Sequence, residues 1–235
     1  MAGTGLNCSQ CPVRDRAACA ALGPDDRDAL ARAGRKRHLQ RGEMLFAAGD
    51  EGASCATLIS GALKVSNCDA GGTERILALI HPAGFTGEMF APFEHHDVVA
   101  LSDSELCVFS RPQFEAAVTQ FPELGQALLR RAQSDLHESR QLVELIGRRS
   151  ATGKVAGLLL ALAQAASHSP CHPALHFEVP LTRGEMAGLL GVTIETVSRQ
   201  LTKLEKQGLI ARIGARGIIL QDPARLEAMA LDSES

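Results

Sequence analysis

A run of helix signals over residues 182–210 constrains this chain more than any other feature. Thr182 is followed three residues later by Glu185. This is a capping box, in which two side chains satisfy free backbone donors and start a helix. Met186, Leu189 and Leu190 give that helix one apolar face. Gly191 and Val192 predict a turn and Thr193 a second cap, and Val197, Leu201 and Leu204 then recur at helical spacing. With successive residues about 100° apart, the opposite side of this second helix carries Glu195, Arg199, Thr202 and Lys206, with Ser198 at its edge. Gly208 ends it. A helix anchored by one face and offering donors and acceptors on the other suits the reading of base edges in a DNA groove.

The next stretch, Leu209-Ile210-Ala211-Arg212-Ile213-Gly214-Ala215-Arg216-Gly217-Ile218-Ile219-Leu220, reads as two short strands around a glycine-bearing turn. Helix, turn, helix and hairpin together predict a winged helix-turn-helix. Arg212 and Arg216 near its turn suit phosphate contacts. The overall charge of −3 hides an asymmetry that fits this reading. Residues 1–147 hold 14 Lys and Arg against 19 Asp and Glu, whereas residues 148–217 hold 9 against 4. The basic portion is the one expected to meet phosphate.

The chain is long enough for more than one core. Residues 1–22 form a cysteine-rich arm without apolar periodicity. Within an expected domain over residues 23–111, short apolar or alternating strands from about His38 to Phe109 are punctuated by glycine, with Leu58-Ile59-Ser60-Gly61-Ala62-Leu63-Lys64-Val65 and Arg75-Ile76-Leu77-Ala78-Leu79-Ile80 the clearest. Such spacing predicts an antiparallel β-roll. Residues 112–149 are expected to be helical, and residues 150–235 to form the winged helix-turn-helix domain. The expected class is therefore α+β. No apolar run approaches the ~18 residues needed to cross a membrane, and no basic-then-apolar leader is visible, so a cytoplasmic protein is expected.

Within the central helix, Leu129, Ala132, Leu136, Ser139, Val143 and Ile146 recur at steps of three and four. This heptad seam predicts pairing with a second copy of the chain. Ala132 adds little area and Ser139 is polar, so the pairing should be weak enough to switch.

Seven cysteines in a reducing compartment point to ligands or buried thiols rather than disulfides. Cys8-x2-Cys11-x7-Cys19 gathers three thiols in a segment with no core of its own, which suits zinc or an iron–sulfur cluster. The fourth ligand is open among Cys55, Cys68, Cys107 and Cys171; of these, Cys171 lies in the DNA-binding half, far along the chain.

A β-roll, a long helix and a C-terminal winged helix resemble the CRP/FNR family of bacterial transcription regulators over nearly the whole chain. The most specific matches are Glu195-Thr196-Val197-Ser198-Arg199, similar to the E-x-x-S-R recognition signature of the FNR branch, and Gly87-Glu88, similar to the family's turn in the β-roll. The resemblance implies a homodimer on a two-fold symmetric DNA site of TTGAT type, with recruitment of RNA polymerase. In oxygen-sensing FNR-like proteins three arm cysteines and one at the position of Cys107 hold a 4Fe–4S cluster, which implies Cys8, Cys11, Cys19 and Cys107 here. The longer gap between Cys11 and Cys19 resembles the branch of rhizobial and photosynthetic α-proteobacteria and departs from the enterobacterial spacing. Relatives that bind cyclic AMP do so through an arginine and a hydroxyl residue after the glycine–glutamate turn. Residues 87–99 contain no arginine but do contain Glu94 and Asp97, which would repel a phosphate, so no cyclic nucleotide is expected.

The chemistry of the residues then assigns roles. Arg199 suits a bidentate contact to guanine, Glu195 can accept from a cytosine amine, and Ser198 can reach a base edge. Two rival readings stand beside this one. Zinc on four thiolates, or thiol oxidation, would keep the DNA-binding role and change the signal. His38, His81, His95 and His96 also permit haem or a metal elsewhere, whereas a cupin-like metal enzyme would need converging histidines and carboxylates across strands, and no convincing set appears. No phosphate-binding glycine loop, nucleophile elbow or H-E-x-x-H helix is present, so no enzyme is expected.

Overall fold

A computed structural model describes residues 6–69, 71–72, 74–167 and 172–231, so the candidate Cys171 lies outside the described residues. The chain divides into two compact units, residues 1–138 and 139–235.

In the first unit, two short 3-10 turns at Cys8–Gln10 and Ala18–Ala21 carry the arm. Pro24 and two aspartates then open helix α1 (Pro24–Ala33), where proline's fixed φ and the helix dipole both favour a start. Eight strands follow: β1 (Gly34–Leu39), β2 (Met44–Phe46), β3 (Ser54–Ser60), β4 (Leu63–Cys68), β5 (Glu74–Ile80), β6 (Phe85–Thr86), β7 (Asp97–Ala100) and β8 (Ser104–Ser110). They form two four-stranded antiparallel sheets, ordered β1-β8-β3-β6 and β2-β7-β4-β5. Leu39, Phe46, Leu58, Leu63, Val98, Leu106 and Val108 are among the side chains that fill the core.

Side chains alternate across a strand, so this core decides what the other face presents. Leu106 and Val108 of β8 point inward, which turns Cys107 and Phe109 to the outer face. Cys107 stands opposite Lys36 of β1 and Thr57 of β3, in the middle of its sheet.

The segment 112–149 is not one helix. It consists of α2 (Arg111–Gln120) and α3 (Pro122–Gly147), separated at Phe121. The residue before a proline is pushed out of the helical region, and Phe121 accordingly adopts φ −121° and ψ 86°. Helix α1 precedes the strands of the first unit.

In the second unit, Ser150 caps α4 (Ala151–Ala166) by accepting from the Gly153 N–H. β9 (His176–Glu178), α5 (Arg183–Leu190), α6 (Ile194–Lys206), β10 (Ile210–Ile213), β11 (Gly217–Leu220) and α7 (Pro223–Leu231) follow. The hairpin read from the sequence gains a third strand, giving the order β10-β11-β9. Gly157 lets the Leu145 side chain lie against α4, where a Cβ would stand 2.5 Å from it. Among the described residues no helix is long and apolar enough to cross a membrane.

Candidate functional site

The capping box at Thr182 forms as the sequence predicts. The Thr182 hydroxyl accepts from the Glu185 N–H at 3.1 Å, and the Glu185 carboxylate accepts from the Thr182 N–H at 2.7 Å. Gly191 ends α5 in the left-handed region at φ +64°, a conformation most residues avoid. The Thr193 hydroxyl then accepts from the Thr196 N–H at 3.2 Å to open α6. Val197, Leu201 and Leu204 are buried, so α6 presents Thr193, Glu195, Arg199 and Lys206 to solvent and holds Ser198 and Thr202 half-buried. Bonds from its own backbone N–H and from the Thr193 hydroxyl lower the Glu195 pKa, favouring the ionised acceptor.

Arg212, beside the wing turn, is held by an ion pair within the domain. Its guanidinium pairs with the Glu205 carboxylate, with Nε donating at 2.9 Å, and its N–H donates to the same group at 3.3 Å. It fastens β10 to the end of α6. Arg216 is half-buried beside the wing turn and Lys206 is exposed at the end of α6.

The sequence reading also missed Gln200. It lies three residues after Val197, on the apolar stripe, and is buried against Thr152 of α4. Its position among apolar residues was the available signal.

In the first unit the arm packs on the outer face of the β1-β8-β3-β6 sheet. Cys8, Cys11, Cys19 and Cys107 all line one cavity of about 230 Å³. Val13, Ala17, Leu30, Ile59, Phe109, Phe114 and Leu124 are among its apolar walls. All six described cysteines are free thiols. Burial, and then the neighbouring thiols, push Cys8, Cys19 and Cys107 above the ordinary thiol range. A protein-only cavity therefore resists collecting thiolates, and a cationic centre would offset the charge.

Among the described residues no three Cys, His, Asp or Glu side chains gather tightly enough to hold a single metal ion. Cys55 is fully buried on the neighbouring strand, its thiol pushed up to about 12 by burial and by nearby carboxylates, and Cys68 is exposed at the end of β4. Neither lines the cavity. Arg27 of α1 closes over the arm, donating from Nε to the Cys19 carbonyl at 3.2 Å and from a terminal nitrogen to the Leu22 carbonyl at 2.9 Å. Lys36, at the rim, pairs with Glu105 at 2.5 Å.

The turn at Gly87 has φ +106°, and a Cβ there would stand 2.8 Å from the Cys55 Cα. In and beside the following loop the chain's own carboxylates take three backbone donors. The Glu88 N–H donates to Glu94 at 3.3 Å, the His95 N–H to Glu88 at 3.1 Å, and the Ala48 N–H to Asp97 at 2.8 Å. Glu88 also pairs with the His95 ring.

Comparison with known proteins follows the same division of the chain. Residues 36–121 match the cyclic nucleotide-binding domain family, and residues 153–229 match the Crp-like helix-turn-helix domain family. The transcriptional activator protein FnrL of Cereibacter sphaeroides is 34% identical over 222 residues, covering 93% of this chain and 90% of the relative. The chain belongs to the CRP/FNR family of transcription regulators. The nitrogen fixation regulation protein FixK of Bradyrhizobium diazoefficiens is 33% identical over 233 residues, covering 96% of this chain and 94% of that one. Among solved structures, FixK2 from Bradyrhizobium japonicum has a TM-score of 0.76 at 23% identity, covering 85% of this chain and 98% of the other. That likeness is one of fold. As a CRP/FNR regulator the chain is a DNA-binding protein rather than an enzyme, and α5, α6 and the β9–β11 strands lie within its helix-turn-helix domain.

Proposed function

We propose that this regulator senses oxygen through a 4Fe–4S cluster held by Cys8, Cys11, Cys19 and Cys107. In the loaded state it binds a palindromic TTGAT-type site as a homodimer and recruits RNA polymerase to anaerobic or microaerobic genes. The observation that carries the reading is the single cavity lined by all four thiols. A tetrahedral zinc needs four sulfurs about 2.3 Å from one point. Thiols spread around a cavity suit a core of several atoms better. The raised thiol pKa values support a group that brings positive charge with it.

When bound, such a cluster supplies ferric and ferrous centres for the thiolates and sulfide bridges that oxygen can attack. Everything else falls to the chain. Cys107 lies near the end of β8, three residues before Ser110 hands over to α2. Cys19 and Cys107 share an apolar cluster with Leu6, Phe109, Phe114 and, from the first turns of α3, Leu124 and Leu128. Joining the arm to Cys107 would hold that cluster together and steady the start of the seam-bearing helix. Further along, Leu129, Ala132, Leu136 and Val143 are exposed, with Ser139 and Ile146 half-buried, a stripe that a second copy would cover. Release of the arm would loosen α3 and tip this weak pairing apart.

No cyclic nucleotide enters the mechanism. Carboxylates already take the backbone donors of Glu88 and His95 in this loop and of Ala48 before β3, which disfavours a phosphate there.

The test is anaerobic purification followed by a visible spectrum, iron and sulfide analysis, and operator binding before and after air. Broad visible absorption, four irons per chain and oxygen-labile DNA binding are expected, and Cys107→Ser should lose all three. An iron-free, colourless preparation that binds its operator fully would overturn the proposal, and stoichiometric zinc would replace it with a structural site.

A further inference from the structure

Helix α6 carries a buried polar group on the side that faces its own domain. Gln200 is only 8% exposed and follows Arg199 directly, on the protein side of α6. Thr152, 7% exposed, donates its hydroxyl to Gln200 Oε1 at 2.7 Å. The same Thr152 oxygen accepts from Lys203 Nζ at 3.4 Å, one turn further along α6. Next to Thr152, Lys154 Nζ donates to the Leu190 carbonyl at the end of α5, 3.2 Å away. The first turn of α4, itself capped by Ser150, thus grips both helices of the reading motif through directional bonds.

Apolar burial of Val197, Leu201 and Leu204 is non-directional and constrains the roll of α6 less sharply than a hydrogen bond does. A hydroxyl-to-carbonyl bond has a length and angle to keep. A roll of about 15° would carry side-chain tips roughly 6 Å from the helix axis by about 1.5 Å, enough to lose a bidentate base contact. Burying a polar pair costs stability that a leucine would not, so its use is in orientation.

We propose that Gln200 and Thr152 are positioning residues for base recognition: their bond sets the roll of α6 and thereby which base edges Glu195, Ser198 and Arg199 meet. This rests on α6 being the reading helix, and Arg199→Ala serves as the control for that premise.

The test uses the full chain, an operator selected by the native protein from random duplexes, and the same operator changed at single positions. Thr152→Val leaves a buried amide short of its partner and should lower both the melting temperature and the discrimination between operator and changed sites. Thr152→Val combined with Gln200→Leu replaces the pair with apolar groups of similar volume. Its melting temperature should return to near the native value while discrimination stays about tenfold reduced. Affinity for unrelated DNA and its dependence on salt should match the native chain throughout, since the phosphate contacts are untouched. Discrimination that recovers along with stability in the double variant, or that is native in both variants, would overturn the proposal. Native discrimination in Arg199→Ala would instead show that α6 does not read the bases.

Discussion

Leu136 offers the most direct measure of the proposed pairing. Its side chain is 51% exposed in the single chain, beside Leu129 at 65% and Val143 at 71%. Fully burying such a side chain is worth about 1.5–3 kcal/mol, so covering these exposed fractions contributes about 1–2 kcal/mol each and roughly 6–12 kcal/mol for two chains. Association costs about 4–15 kcal/mol in lost freedom and ordering, so the seam alone leaves the dimer near balance. Leu136→Ala should remove about 2–4 kcal/mol per dimer, weakening the dimer dissociation constant roughly 30- to 1,000-fold. The protomer's own fold should be untouched, because Leu136 is exposed in it. Sedimentation equilibrium under anaerobic conditions, paired with a thermal melt of the dilute protein, separates the two effects. Ser139→Leu should act in the opposite sense and keep the protein dimeric after exposure to air. A Leu136→Ala chain with native dimer affinity would refute the seam as the interface, whatever the cofactor proves to be.

Three further outcomes can be checked independently. Burial, and then the nearby Arg131 charge, lower His81 from 6.5 to about 4. The unfolded chain binds this proton more tightly, so the stability contribution is complete above pH 6.5 and falls by up to about 3 kcal/mol as pH drops toward 4. Urea melts across that range should be flatter for His81→Gln, and an unchanged slope would remove His81 as the cause. Arg27→Ala frees the carbonyls of Cys19 and Leu22, so visible absorbance should bleach faster in air and the thiols of the cofactor-free chain should label faster. Equal rates would show that Arg27 does not hold the arm. Gly87→Ala combines a left-handed φ with a Cβ 2.8 Å from the Cys55 backbone, and thermal denaturation should register a loss of about 2 kcal/mol or more.

The helices and caps of the DNA-binding unit were legible because each depends on neighbours within a turn. Thr182 and Glu185, Gly191, and Thr193 with Thr196 declare themselves in a few residues of sequence. The break at Phe121 was equally local, since Pro122 forces it, but a helical period that continues on both sides concealed it. The ion pair of Arg212 and the burial of Gln200 were hidden for a different reason. Their partners, Glu205 on the preceding helix and Thr152 at a separation of 48 residues, are chosen by packing and not by periodicity.

The same distinction governs the cysteines. Local pattern and composition determined that the chain holds a β-roll, a helical centre and a reading motif, and that three thiols share one arm. Resemblance alone picked Cys107 from among the possible fourth thiols. Only the tertiary structure brings Cys107 to the others, because the β1-β8-β3 register and the inward turn of Leu106 and Val108 aim it at the outer face where the arm lies. Side-chain alternation along a strand is written in the sequence, but which face becomes the core is settled by all the strands together.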